Sequence, residues 1–190
     1  DELITVKSSY NDIHDNWFIN NNTGVTFRHG SFNKYRNNKN INTGFRTYGH
    51  NQEITENQFL RDSHSQLIQV VIGNGDHADD GILGKSNAIY SQVHDCLIHG
   101  NYFIGEDATS NYLLCWGYGS RSFKPINNKI LDNIFMASKG TLAHTRDGAS
   151  WAGNTIAGNI MWPTDTAVLG DMPSSGYTKK DPQLVKICIY

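Results

Sequence analysis

This 190-residue chain has little charge, few prolines and no long apolar run. Lys and Arg number 16 against 18 Asp and Glu, a formal net charge of −2. That balance argues against a sequence-blind nucleic-acid binder, whose affinity needs a clustered basic surface. No apolar stretch approaches the ~18 residues of a membrane-spanning helix, so a membrane partner is not expected. No basic-then-apolar leader opens the sequence, which starts Asp1-Glu2-Leu3. Three cysteines, Cys96, Cys115 and Cys188, leave an odd one and show no metal-type spacing. The eight histidines lack a zinc-type pair with a third ligand nearby. No segment carries an apolar i, i+3, i+4, i+7 stripe long enough for a helix, and the dense Leu ladder of a leucine-rich repeat is missing.

Asparagine is abundant, at 21 residues beside 18 glycines. Disorder would be one reading of that composition, but 11% aromatic residues and recurrent Ile, Phe and Leu argue against it. The asparagines recur in a pattern. Asn16-Trp-Phe-Ile, Asn57-Gln-Phe-Leu, Asn101-Tyr-Phe-Ile, Asn133-Ile-Phe-Met and Asn159-Ile-Met-Trp each set an Asn before an apolar pair or triplet, with Asn37 and Asn38 midway between the first two. The intervals are about 21, 20, 44, 32 and 26, the third reading as twice 22. Self-similarity at such a period marks a solenoid. The units are strand-like, with short β-branched and aromatic runs between turn residues. The fold expected is therefore all-β, a right-handed parallel β-helix with coils of roughly 20–25 residues, and a β-sandwich is the next choice. Coils stack about 4.8 Å apart, so one Asn per coil can form an amide ladder. One domain over residues 1–190 is expected, with 160–190 as an irregular terminal coil or cap.

Insertions in a solenoid cluster on one face, often the binding face. The longest candidates are residues 74–86, 106–111 and 162–182. Residues 76–80 are Asp-rich, but lack the spacing of a calcium loop and read as solvated. Cys96 and Cys115 lie about one coil apart, a spacing that allows stacking on neighbouring rungs. Trp116, Tyr118, Trp151, Trp162 and Tyr177 are candidate sugar platforms or core fillers, Tyr118 being the best placed for the former. Arg121, Lys124 and Arg146 can extend a basic groove.

The densest ionisable set is Glu2, Lys7, Arg28, His29, Arg46 and His50. Lys7 and Arg28 are 21 residues apart and Arg28 and Arg46 are 18 apart, so three cations can fall on consecutive rungs of one face. Like charges so placed repel. Either they point outward into solvent, or the face meets an acidic ligand.

The stretches Glu2-Leu-Ile-Thr-Val-Lys7-Ser and Gly24-Val-Thr-Phe-Arg28-His29-Gly30 resemble the active-site core of the family 6 polysaccharide lyases, the alginate lyases and chondroitinase B-like enzymes. Thr43-Gly-Phe-Arg46 with His50, and Asn57-Gln-Phe, are similar to the family's following stretch. The resemblance is tight over residues 2–59 and weak beyond. It implies a parallel β-helix that cleaves a uronate polymer, alginate or a dermatan/chondroitin-type glycan, by β-elimination, and a secreted or periplasmic location. By the same resemblance Lys7 matches the base and Arg28 the acid. His29 matches a supporting position, Arg46 a substrate-carboxylate contact and Glu2 a Ca²⁺ ligand. His50, in the similar following stretch, and Tyr118, as a sugar platform read from the residues alone, complete the expected substrate contacts. An Arg is an intrinsically poor proton donor, so Arg28 is expected mainly to stabilise charge. The family's second glutamate, two residues before Glu2, and an Asn one coil earlier have no counterpart in this sequence, and one carboxylate is too few for calcium. These departures fit a C-terminal piece of a longer lyase, with upstream coils as its partner. They also leave two alternatives to an enzyme: a module that binds acidic glycan without cleaving it, and a structural β-helix of the adhesin, tailspike or filament kind.

Overall fold

The computed structural model describes residues 2–21, 23–61, 69–78, 89–105 and 112–183. The described residues form short strands and one 3₁₀ turn, Ser174–Gly176. Among the described residues no helix is long and apolar enough to cross a membrane. The strands form three parallel sheets of seven, six and seven strands. Within each sheet a strand pairs with the one a full turn earlier, as Ile4–Val6 with Gly24–Phe27, Asp12–His14 with Lys34–Arg36, and Trp17–Ile19 with Lys39–Ile41. This is a singly wound parallel β-helix and not a sandwich. Such coils bury alternate side chains inward and leave the others on the outer faces. Phe59, Phe103 and Phe135 stack in the interior at 5.3 and 4.6 Å with nearly parallel planes.

The asparagine repeat is a corner ladder. The backbone N–H groups of Asn16, Asn38, Asn57, Asn101 and Asn133 each donate to the side-chain oxygen of the next ladder residue, ending at Asn159, at 2.9–3.0 Å. Each of these asparagines follows a residue of positive φ: Asp15, Asn37, Glu56, Gly100, Asp132 and Gly158. The left-handed conformation turns the chain sharply between the second and third sheets, and Asn, Asp and Gly adopt it most readily. The step from Asn57 to Asn101 is a single rung. The 44-residue interval is therefore one enlarged coil and not two, because the ladder fixes the corner while leaving the rest of the coil free in length. A second ladder runs through Asn11, Asn33, Gln52, Cys96, Asn128 and Asn154 at the corner between the first and second sheets. Here Cys96 stands in an asparagine position, its Sγ accepting from the Gln52 N–H at 3.3 Å.

The two kinds of connection differ in length. Between the second and third sheets one or two residues suffice in every coil, as between Leu97–His99 and Tyr102–Gly105. The longest intervals between successive strands all adjoin the first sheet: residues 62–69, 74–96, 106–111, 119–128 and 146–154. Residues 79–88 and 106–111, including Asp80, and Cys188 lie outside the described residues.

Candidate functional site

The first sheet runs Ile4–Val6, Gly24–Phe27, Gly44–Thr47, Val70–Gly73, Tyr112–Tyr118, Thr141–Thr145 and Val168–Gly170. Val6 pairs with Phe27, and Phe27 with Thr47. One residue on, Lys7, Arg28 and Tyr48 therefore follow one another on adjacent rungs of the outer face. The N–H of Arg28 donates to Val6 and that of Tyr48 to Phe27, both at 2.9 Å, which holds this row. Arg46 pairs with Thr26 and so lies on the same face but two residues back. The three cations share consecutive rungs on a diagonal, which separates Arg46 from Arg28 more than a straight row would. Lys7 is exposed, and among the described residues no carboxylate lies within salt-bridge distance of it. Gly30, which completes the Arg28-His29-Gly30 motif, has φ +84°, and a Cβ there would stand 2.3 Å from the Ser8 backbone. Glycine is what lets the second coil close against the first beside Lys7.

Arg28 and Arg46 are held differently. Arg28 Nη1 approaches the Glu2 carboxylate at 3.5 Å, and its guanidinium lies 5.5 Å from the centre of the Tyr90 ring. His29 stacks on the same ring at 5.8 Å and 10°. Arg46 lies 5.8 Å from the Tyr118 ring, which Arg146 approaches at 5.3 Å. Tyr118 pairs with Gly73 across a register shift. A Cβ on Gly73 would meet the Tyr48 ring at 2.1 Å, so the absence of a side chain makes room for that ring. Tyr48 is buried and stacks on Tyr90 at 4.1 Å. Burial pushes its hydroxyl pKa up, with Arg46 and Arg121 opposing the shift, so the phenol stays neutral. Arg121 lies 4.3 Å from the Tyr90 ring and bonds Asp76 Oδ2 through Nε at 3.1 Å. The outer face thus carries four arginines in two groups, each gathered on a tyrosine.

The fold brings Glu2, Lys7, Arg28, His29, Arg46 and Tyr118 onto or beside one face. His50 turns into the first corner, its ring against Phe32 at 5.2 Å and His94 at 4.8 Å. Trp116 and Trp151 stack on one another at 5.1 Å in the core and are not platforms. Lys124 Nζ donates to the carbonyls of Arg121 and Asp147, which ties it to loop closure. Cys96 belongs to the corner ladder and Cys115 to the first sheet. They do not stack on neighbouring rungs and form no disulfide with one another. Burial raises the Cys115 pKa to about 12, so it stays a neutral thiol.

Tyr48, Tyr90 and Asp76 were not singled out from sequence as site residues. Tyr48 was accessible, because Arg46-Thr-Tyr48 continues the outward alternation. Tyr90 arrives from the long fourth coil, and no periodicity points to it.

Among the described residues no three His, Cys, Asp or Glu side chains come together as a metal site. Glu2 supplies one carboxylate, and that one accepts from the Thr5 hydroxyl and faces Arg28. Calcium takes six to eight oxygens, so the described donors do not fit it.

Neither a protein-family model nor a curated protein matches the chain. Among solved structures it is similar to a mannuronic acid specific polysaccharide family 6 lyase from the human gut microbiota, with a TM-score of 0.68 and 17% sequence identity. The likeness covers 83% of this chain and 35% of the other, so the chain spans about a third of that enzyme's length. At that identity the likeness establishes the fold, a parallel β-helix of the kind used by a polysaccharide lyase.

Proposed function

We propose that the outer face of the first sheet is the active site of a polysaccharide lyase that cleaves a uronate polymer by β-elimination. The observation that carries this reading is the placement of Lys7 beside Arg28 on adjacent rungs of the one sheet flanked by every long connection. The lyase fold of the structural neighbour supports it. The neutral amine of Lys7 takes the proton from the carbon next to the uronate carboxylate. The electron pair left behind forms the double bond as the glycosidic oxygen departs, and that oxygen is protonated from the site or from water. Charge developing on the carboxylate is met by guanidinium groups, with Arg28 nearest and Arg46 on the next rung. His29 and Tyr118 border the same face and contact the sugar. Mannuronate-rich alginate is the substrate that we favour, and a secreted or periplasmic setting goes with an extracellular polymer. The open first rung, with Ile4, Ile13 and Phe18 only partly covered, is where further coils stack.

The test is to follow unsaturated uronate by its far-ultraviolet absorbance, using polymannuronate, polyguluronate and dermatan sulfate with wild type and Lys7→Ala. Lyase activity on the preferred polymer is expected to drop by a factor of about 10³ or more in the variant. Parallel arms contain added calcium or a chelator. A calcium requirement would mean that donors beyond the described residues complete Glu2. A second reading, a module that binds acidic glycan without cleaving it, is favoured by the Glu2–Arg28 contact, which occupies one edge of Arg28. Retention on alginate gel with no absorbance change would select it.

A further inference from the structure

The fourth coil leaves the first sheet after Val70–Gly73 and returns to the corner at Ser91. Its described parts are built around Tyr90. The N–H of Asp76 donates to the Tyr90 carbonyl at 2.6 Å, and Asp76 Oδ2 accepts from the Tyr90 N–H at 2.9 Å. The same oxygen accepts from Arg121 Nε at 3.1 Å. One carboxylate thus fixes both the backbone of Tyr90 and the guanidinium lying 4.3 Å from its ring. Tyr90 as a residue is 7% exposed. Its ring is the shared neighbour of Tyr48, Arg121, Arg28 and His29, at 4.1, 4.3, 5.5 and 5.8 Å.

This arrangement matters for Arg28. A guanidinium is held most firmly by a bidentate carboxylate, but such a partner consumes the N–H groups that an incoming oxyanion would use. An aromatic face attracts the cation through its quadrupole and leaves the N–H edges free. The contact with Glu2, at 3.5 Å, is long for a charge-assisted bond. The ring supplies the orientation that this contact does not.

We propose that Tyr90 is the positioning residue of the Arg28–His29 pair, held in place by Asp76 and Arg121. The enlarged coil is then a functional part of the site, inserted to bring an aromatic face against two residues two coils away. This rests on the lyase reading given above, and the experiment separates the two.

The variants are Tyr90→Phe, which keeps the π face, and Tyr90→Leu, which keeps apolar volume without it, with Asp76→Asn as a third. Steady-state kinetics on polymannuronate are expected to show kcat lowered about tenfold to a hundredfold in Tyr90→Leu, as for a slightly misplaced charge-stabilising group. KM changes less than about threefold, and Tyr90→Phe stays within about twofold of wild type. Asp76→Asn falls between them. Equal activity of the Leu and Phe variants, at any level, overturns the proposal, because it would assign Tyr90 to the fold or to its hydroxyl. If wild type releases no unsaturated uronate, the lyase reading fails separately. Calorimetric affinity for a saturated tetramannuronate then decides: weakening of about tenfold in Tyr90→Leu with rescue in Tyr90→Phe upholds the positioning role. Equal affinities, or no binding by wild type, overturn it.

Discussion

Asp171 shows how individual residues set the acid limit of this protein. Burial alone would raise its pKa, but donors from the Thr145 hydroxyl, Trp151 Nε1 and the Thr145 N–H, with His144 nearby, hold it below the ordinary carboxylate value. Asp12 is depressed in the same direction, chiefly by the bonds from Arg36, and Asp15 by those from His14 and Asn37. A carboxylate depressed in the folded state stabilises it above the unfolded pKa, about 3.9 for Asp, and that contribution disappears as pH falls through the folded value. Melting temperature should therefore drop as pH is taken below about 4. Asp171→Asn should melt lower than wild type at neutral pH and show a shallower fall in acid. Parallel curves for the two proteins would show that Asp171 does not contribute.

At the level of the element, the corner ladders hold the coils in register. Asn101 uses its amide fully: its oxygen accepts from the Asn57 N–H and side chain, and its nitrogen donates to the Ile54 carbonyl and to Asn133. All four residues are buried. Asn101→Leu leaves the buried Asn57 N–H and Ile54 carbonyl without these partners and is expected to cost about 3 kcal/mol, measured by chemical denaturation. A loss of under about 1 kcal/mol would mean that water or a neighbour replaces the amide. These ladder asparagines were the most legible feature of the sequence. A buried side chain repeated once per coil has to recur, and the αL residue before it narrows the choice further. The second ladder was hidden because Gln52 and Cys96 fill two of its positions. The length of the fourth coil was misread because the ladder constrains corners and not the path between them. Lys7, Arg28 and Arg46 were legible because Arg46 sits on a regular strand and Lys7 and Arg28 directly follow one, where spacing still gives register. Tyr90 was not, because the excursion that brings it has no period.

Viewed as a whole molecule, the protein is asymmetric along its axis and around it. Around the axis, tight corners confine two sheets to scaffolding and place every long connection beside the first. Along the axis, the opening strands Ile4–Val6, Asp12–His14 and Trp17–Ile19 end their sheets. Trp17 and Ile19 are each 49% exposed there, beside the half-covered Ile13 and Phe18.

The central claim is that Lys7 and Arg28 carry out an elimination. It is tested most directly by the mass of the oligosaccharides released from polymannuronate. Elimination leaves one new end lighter by a water molecule than a hydrolytic end. The account predicts such unsaturated ends from wild type, their loss in Lys7→Ala, and strong depletion in Arg28→Ala with the fold intact. Hydrated ends, or unsaturated ends still formed at the wild-type rate by Lys7→Ala, would contradict it.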